Sequence, residues 1–271
     1  MPDEAQAPEP SRQLDEAQVR AFVDDGFVHV EGAFPRETAD ACRDVLWRST
    51  GADPRDPDGW PPAAVGIGER TEESFREAAT ASALRAAFDV LVGPGRWQVP
   101  DGLGGFVVRF PGGRPAVVDG WHVDVSFPGE DLEPGSTDYM RWRANVTSRD
   151  CALRMFFLFS DVGEDDAPTR MRRGSHRDVA RLLEPAGEAG LDARELARRA
   201  GAASAHRPVV HATGRAGDVY LCHPFLVHAG QPHRGTRPRF LGQPKLVPSR
   251  PLCGDGGRSP VEAVIRQALA G

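Results

Sequence analysis

The chain has 271 residues, 40% of them apolar and 27% charged, which is the composition of a water-soluble globular protein able to bury a substantial core. Its formal net charge of −6 repels phosphate backbones and argues against a nucleic-acid partner. Cys42, Cys151, Cys222 and Cys253 are scattered without a Cys-x-x-Cys, so neither a disulfide framework nor a thiolate zinc site is expected, and reduced cytosolic thiols are the simple reading. No apolar run approaches the ~20 residues that cross a bilayer. The acidic, Pro-rich start lacks the basic-then-apolar order of a signal peptide, so a cytoplasmic location is expected.

In chain order, residues 1–13 are polar and aperiodic and read as a disordered tail. Leu14, Val19, Phe22 and Val23 share one helical face, which Gly26 ends, and Phe27 to Val30 reads as a strand. A second helix fits Pro35 to Trp47, with Ala39, Cys42, Val45 and Leu46 on one side. The Gly-, Pro- and Asp-dense stretch 51–69 reads as a loop, and a third helix as covering Glu72 to Val92. Strands are expected over Gly105–Phe110, about Ala116–Asp124, and Ala152–Phe159, the last strongly apolar and buried. An irregular segment occupies roughly 128–150, and 161–178 is mixed and charged. Residues 188–200 look like an exposed helical insertion, and strands follow at Val209–Val210, Asp218–His228 and Pro238–Val247. Ser259, Pro260 and Glu262 form a capping box that starts a last helix, with Val261, Val264, Ile265 and Leu269 as its apolar side. Helices first and strands after predict one α+β domain over 14–271, a mainly β core behind an N-terminal helical layer.

Trp121-His122-Val123-Asp124 runs from strand into loop. Residues two apart on an extended chain share a face, so His122 and Asp124 can aim at one point. A neutral imidazole with a carboxylate is a donor set that suits iron(II). His-x-Asp is common by chance, and alone it reads equally as a capped histidine. The segment Gly217 to Phe240 reads as a hairpin whose turn lies between Arg234 and Gly235, with His228 and Arg239 equidistant from it and therefore opposite each other. A ligand histidine beside a guanidinium is what a chelating 2-oxo acid needs, one end on the metal and the distal carboxylate on the arginine. Together, His122, Asp124, His228 and Arg239 outweigh the bland readings of each, a core histidine or a surface arginine. His223, five residues before His228, faces the other way and is structural; His29, His176, His206, His211 and His233 have no partner at ligand spacing, and His176 falls in an expected turn.

These residues resemble the phytanoyl-CoA dioxygenase-like family of iron(II)/2-oxoglutarate oxygenases. The matching segments are Leu14–Val30, Trp121–Asp124, Ala167–Arg177 with its Gly174-Ser175-His176, Gly217–His228 with Arg239, and Ser259–Glu262. The resemblance implies a double-stranded β-helix (jelly-roll) core and a dioxygenase using Fe(II), 2-oxoglutarate and O2. It implies His122, Asp124 and His228 as metal ligands and Arg239 on the co-substrate. The expected outcome is hydroxylation of a small-molecule C–H bond with release of succinate and CO2. Asp124 argues against the halogenase variant, in which Gly or Ala replaces the carboxylate. The family often has a polar residue two positions after the distal histidine; here it is Gly230, so Thr169 or a residue of the Gly105–Arg109 strand, Arg109 among them, is expected to supply that contact. The substrate is expected to meet the two unmatched loops, through Trp60 and Arg70 and through Tyr139, Arg141 and Arg143. Two other readings compete: a cupin-type metal-dependent isomerase or hydrolase, which would not need Arg239, and a non-catalytic binding protein on the same fold.

Overall fold

A computed structural model describes residues 13–62, 64–112, 119–133, 135–253 and 257–271. The expected tail therefore lies outside the described residues except for Gln13. Helix α1 (Glu16–Asp25) opens on a capping box, in which Gln18 N donates to Asp15 at 2.8 Å and Asp15 N to the Gln18 side chain at 3.0 Å. It ends at Gly26, φ 88°, where an added Cβ would lie 2.5 Å from His176 Nδ1. Both the positive φ and the close approach thus require glycine. Strand β1 (Phe27–Val30) follows as expected, and α2 (Arg36–Thr50) runs past the expected end at Trp47.

The single helix expected over 72–92 is two, α3 (Glu73–Ala79) and α4 (Ser82–Leu91). The Thr80 hydroxyl donates to Arg76 O at 2.7 Å, and Ala81 is extended (ψ 139°), which breaks the ladder. The loop expected over 51–69 contains β2 (Ala64–Ile67), an edge strand on β3 (Phe106–Arg109). Of the strand expected over 116–124, residues 116–118 lie outside the described residues; 119–124 holds a single bridge, at His122.

The remaining strands form three antiparallel sheets. The large one has the order β1-β10-β6-β12-β3-β2, where β6 is Leu153–Leu158, β10 Val219–Cys222 and β12 Arg239–Gly242; β13 (Lys245–Leu246) also pairs with β6. The second has the order β11-β7-β9, from His228–Ala229, Thr169–Arg172 and Val209–Ala212. The third joins β4 (Phe127–Pro128), β5 (Trp142–Ala144) and β8 (Leu191–Asp192), so the segment expected to be irregular carries a small sheet. The strand expected over 218–228 is split by the turn at His223–Val227, and its two halves lie in different sheets. The one expected over 238–247 is interrupted between Gly242 and Lys245.

Alternation along β6 explains the layers. Leu153, Met155 and Phe157 join the core shared with Phe22, Phe75, Leu84 and Phe88 of the helices. Phe156 and Leu158 join a second cluster with Tyr220, Cys222 and Leu241 of the large sheet and Met171 and Ala212 of the second. The two sheets are therefore packed face to face, with the helices behind the large one. The expectation of a mainly β core behind a helical layer holds.

Helix α5 (Ser175–Leu183) occupies the stretch read as mixed and as a turn at His176, whose ring is fully buried against His223 at 5.1 Å between centroids. Helix α6 (Ala193–Ala203) is no exposed insertion, since Leu196 and Ala200 are fully buried. Helix α7 (Pro260–Ala270) starts at the expected box. Its Glu262 is fully buried on Arg96, with N–O distances of 2.6 and 2.7 Å.

Candidate metal centre

His122 and His228 exchange both backbone hydrogen bonds, each N–H donating to the other's carbonyl at 2.9 Å. This short bridge sets the two rings 4.4 Å apart between centroids. Each Nδ1 meets a carbonyl two residues back, His122 on Gly120 at 2.8 Å and His228 on Leu226 at 3.0 Å. A carbonyl only accepts, so Nδ1 carries the proton and Nε2 presents its lone pair. Burial, then the neighbouring His228, pushes the His122 imidazole below its ordinary range and keeps it neutral.

Asp124 completes the group. Its Oδ1 is 3.9 Å from His122 Nε2 and its Oδ2 3.4 Å from His228 Nε2. The three ligand atoms all lie within 4.8 Å of one another. Donors on one ion about 2.1 Å away are roughly 3–4 Å apart, and both imidazole–carboxylate distances fall in that range. Burial alone would raise the Asp124 carboxyl, but Arg154, then His228 and His122, hold it well below the usual carboxylate range. His228 Nε2 is buried without a hydrogen-bond partner among the described residues, which a cation at the triad would account for.

The placement of Arg239 corrects the hairpin reading. Strand β12 pairs with β3 and β6, whereas β11 pairs with β7, so His228 faces Met171 and not Arg239. The two residues share a space for another reason: they project into the sandwich from opposite sheets. Arg239 shares the side of Leu241, and the His228 ring lies 5.4 Å from Phe156, both members of the inter-sheet cluster. Arg239 is 2% exposed. Its Nη1 donates to Ala167 O, while Nε is buried without a partner among the described residues.

Opposite it in register stands Arg109, which donates to Gln231 O at 2.9 Å and is paired with Asp119. Burial, then Arg109, pushes the Arg239 guanidinium down to about 9, the mark of a buried cation in want of an anion. Thr169 is buried on β7, on the side of Met171, two residues beyond the carbonyl that Arg239 contacts. The structure thus brings Arg239, Arg109 and the 167–169 segment together beside the triad's own strands.

The five residues expected to meet a substrate lie elsewhere. Trp60 packs at a tilt against Trp47 and Phe110 and lines a cavity of about 310 Å3 with Arg36, Arg237 and Phe240. Arg70 donates to Ser49 at 2.9 Å and bridges Leu103. Arg141 pairs with Asp131, and Arg143 donates to Ala189 O and Gly190 O at 2.5 and 2.9 Å. Tyr139 is exposed and packs on Trp142 at 4.8 Å. Arg143 is joined to the segment after the triad's carboxylate, its carbonyl accepting from Ser126 N, two residues past Asp124, at 2.9 Å.

Sequence reasoning missed four cations. Arg170 donates to Gly230 O at 2.7 Å and Asp119 O at 2.9 Å, tying the strands that carry both histidines, and lies with Arg172 over the Trp121 ring. Arg154 Nε lies 2.7 Å from Asp124 Oδ2, and Lys245 Nζ donates to Ser126 O at 2.9 Å. The available signal was an arginine inside the otherwise apolar run Leu153–Leu158.

The family described as Phytanoyl-CoA dioxygenase (PhyH) matches residues 114–241, a span that holds the triad and Arg239. Over that span the chain is similar to the PhyH family. No curated protein matches it in sequence. Among solved structures, the chain is similar to HygX from Streptomyces hygroscopicus, a structure with nickel, 2-oxoglutarate and hygromycin B bound (TM-score 0.54, 18% identity, 87% of this chain and 88% of that one). It is similar to the non-heme alpha ketoglutarate dependent epimerase SnoN from nogalamycin biosynthesis (0.54, 20% identity, 90% and 91%). It is also similar to the non-heme alpha ketoglutarate dependent carbocyclase SnoK of the same biosynthesis (0.51, 15% identity, 90% and 89%). At these identities the likeness is one of fold, and it spans nearly the whole chain.

Proposed function

We propose that the protein is an Fe(II)- and 2-oxoglutarate-dependent dioxygenase of the PhyH family that hydroxylates a C–H bond of a small molecule. The observation that carries the reading is the preformed His122–Asp124–His228 triad, two imidazoles and one carboxylate, with the buried and incompletely partnered Arg239 in the same inter-sheet space. Three ligands on one side of an ion leave the others open, the arrangement of non-haem iron oxygenases. Arg239 holds the distal carboxylate of 2-oxoglutarate, and Arg109 and Thr169 complete that end of the pocket. When bound, iron with 2-oxoglutarate and O2 supplies the oxidising power: substrate R–H, 2-oxoglutarate and O2 give R–OH, succinate and CO2. The chain's residues fix the ligand geometry, and Phe156, fully buried, packs its ring 5.4 Å from that of His228.

Support for a small-molecule substrate comes from the neighbours, whose structures hold hygromycin B or nogalamycin RO. The reading takes residues 14–271 as one catalytic domain acting in the cytoplasm; among the described residues no helix is long and apolar enough to cross a membrane. Trp60, Arg70, Tyr139, Arg141 and Arg143 remain candidate substrate contacts on the surrounding loops. The test is succinate formation by the protein supplied with Fe(II), 2-oxoglutarate, ascorbate and O2. Slow uncoupled turnover that disappears in His228→Ala supports the reading, and wild-type protein that forms no succinate above the metal-free control contradicts it.

A further inference from the structure

His122 and His228 are fixed by the hydrogen bonds they exchange, but Asp124 lies in backbone outside any strand. Its side chain is 27% exposed. A carboxylate on irregular backbone at a pocket rim has rotamer freedom that a preformed triad must remove. Two cations from the large sheet reach this segment. Arg154 and Lys245 stand opposite each other in the β6–β13 register, and both lie on the sheet face that looks into the sandwich. Arg154 Nε is 2.7 Å from Asp124 Oδ2, and its Nη1 donates to Gln243 O at 2.9 Å, so the guanidinium is itself anchored to the sheet. Lys245 Nζ binds Ser126 O, two residues on, at 2.9 Å, and lies 5.7 Å from the Trp142 ring centroid.

We propose that Arg154 is the positioning residue of the metal centre: it holds the Asp124 carboxylate through one oxygen so that the triad is assembled before the metal arrives, while Lys245 pins the backbone that follows. The inference rests on the reading of the triad as a metal site. Two consequences of a cation here have opposite signs. Its charge repels an incoming dication, which weakens binding. Its contact orients a ligand, which strengthens binding, and a guanidinium on one oxygen favours ligation through the other alone. Orientation is the larger effect because Arg154 is tied to Gln243 O and only 13% exposed, so it cannot swing away with the carboxylate.

The experiment is calorimetric titration of the metal-free full-length protein with Co(II), followed by the visible d–d bands of the bound ion. Arg154→Gln and Arg154→Leu each weaken Co(II) binding by about 10- to 100-fold, the usual effect of removing a partner of a ligand, and alter the bands. The leucine variant fills the stem's space and keeps the test open if the glutamine variant does not fold. Arg154→Lys restores affinity to within a few-fold, which a purely steric role would not require. In an Asp124→Ala background Arg154→Gln no longer weakens Co(II) binding, because only the repulsion between the guanidinium and the ion is left to remove. Wild-type binding with equal or tighter binding and unchanged bands in the Gln and Leu variants overturns the inference and leaves the metal centre standing. Wild-type protein that binds no Co(II) overturns both.

Discussion

Replacing Arg239 by methionine separates co-substrate binding from folding. Arg239 is 2% exposed, lies opposite Arg109 in register, and uses one N–H on Ala167 O while Nε finds no partner among the described residues. If its anion is the distal carboxylate of 2-oxoglutarate, Arg239→Met removes a buried charge pair. Such truncations cost about 2–5 kcal/mol, which at 1.4 kcal/mol per tenfold is a roughly 30-fold to several-thousand-fold rise in the 2-oxoglutarate Kd. The apo-protein should respond in the opposite sense. Burial, then Arg109, pushes this guanidinium down to about 9, so the empty pocket holds a cation at a cost, and an apolar side chain of similar length is neutral or stabilising. The assay is calorimetry of Mn(II)-loaded protein with 2-oxoglutarate, alongside thermal unfolding of the metal-free form. Affinity within threefold of wild type would refute the assignment of Arg239. Loss of Mn(II) binding together with 2-oxoglutarate would show that the substitution acts on the fold.

Three further outcomes follow from the frame around the site. Glu262 is buried, which alone would raise its carboxyl, but Arg96 and then Ser259 bring it down to about 2 from an ordinary 4.5. A depressed carboxylate stabilises above its unfolded pKa, so this contribution, on the order of 3 kcal/mol, is complete above about pH 4.5 and is lost as pH falls towards 2. Glu262→Gln should flatten the acid limb of the unfolding profile, and an unchanged limb would contradict this. His176 is pushed down to about 3 by burial, so its imidazole resonances should not titrate between pH 8 and 5; a midpoint near 6.5 would show it is not buried neutral. Gly26→Ala adds a strained φ and a 2.5 Å approach to His176, and should lower the melting temperature by several degrees without changing metal affinity in the folded protein.

The site was legible in the sequence mainly as residue types. His122, Asp124 and His228 could be chosen because donor chemistry and two-residue alternation are local properties. Arg239 was chosen through a hairpin that does not exist: His223 to Val227 turns the chain from one sheet to the other, a long-range event that an apolar run does not encode. The ends of α1 and α7 were readable because capping boxes and glycine stops act within a few residues. β2 was hidden because Ala64–Ile67 is too short to show a period and follows a Pro-rich stretch. Helix α5 was hidden by its charged residues, although Val179, Ala180 and Leu183 form a fully buried side. Arg154 sat inside a run whose apolar character drew the attention its exception should have had.

The central claim is most directly tested by anaerobic titration of the metal-free protein with Fe(II) and then 2-oxoglutarate, followed by the visible metal-to-ligand charge-transfer band of the chelate. The band is expected in wild-type protein and absent in His122→Ala and His228→Ala. Iron binding without the band would contradict the co-substrate assignment and favour a cupin-type metal enzyme, and failure to bind iron at all would contradict the metal centre itself.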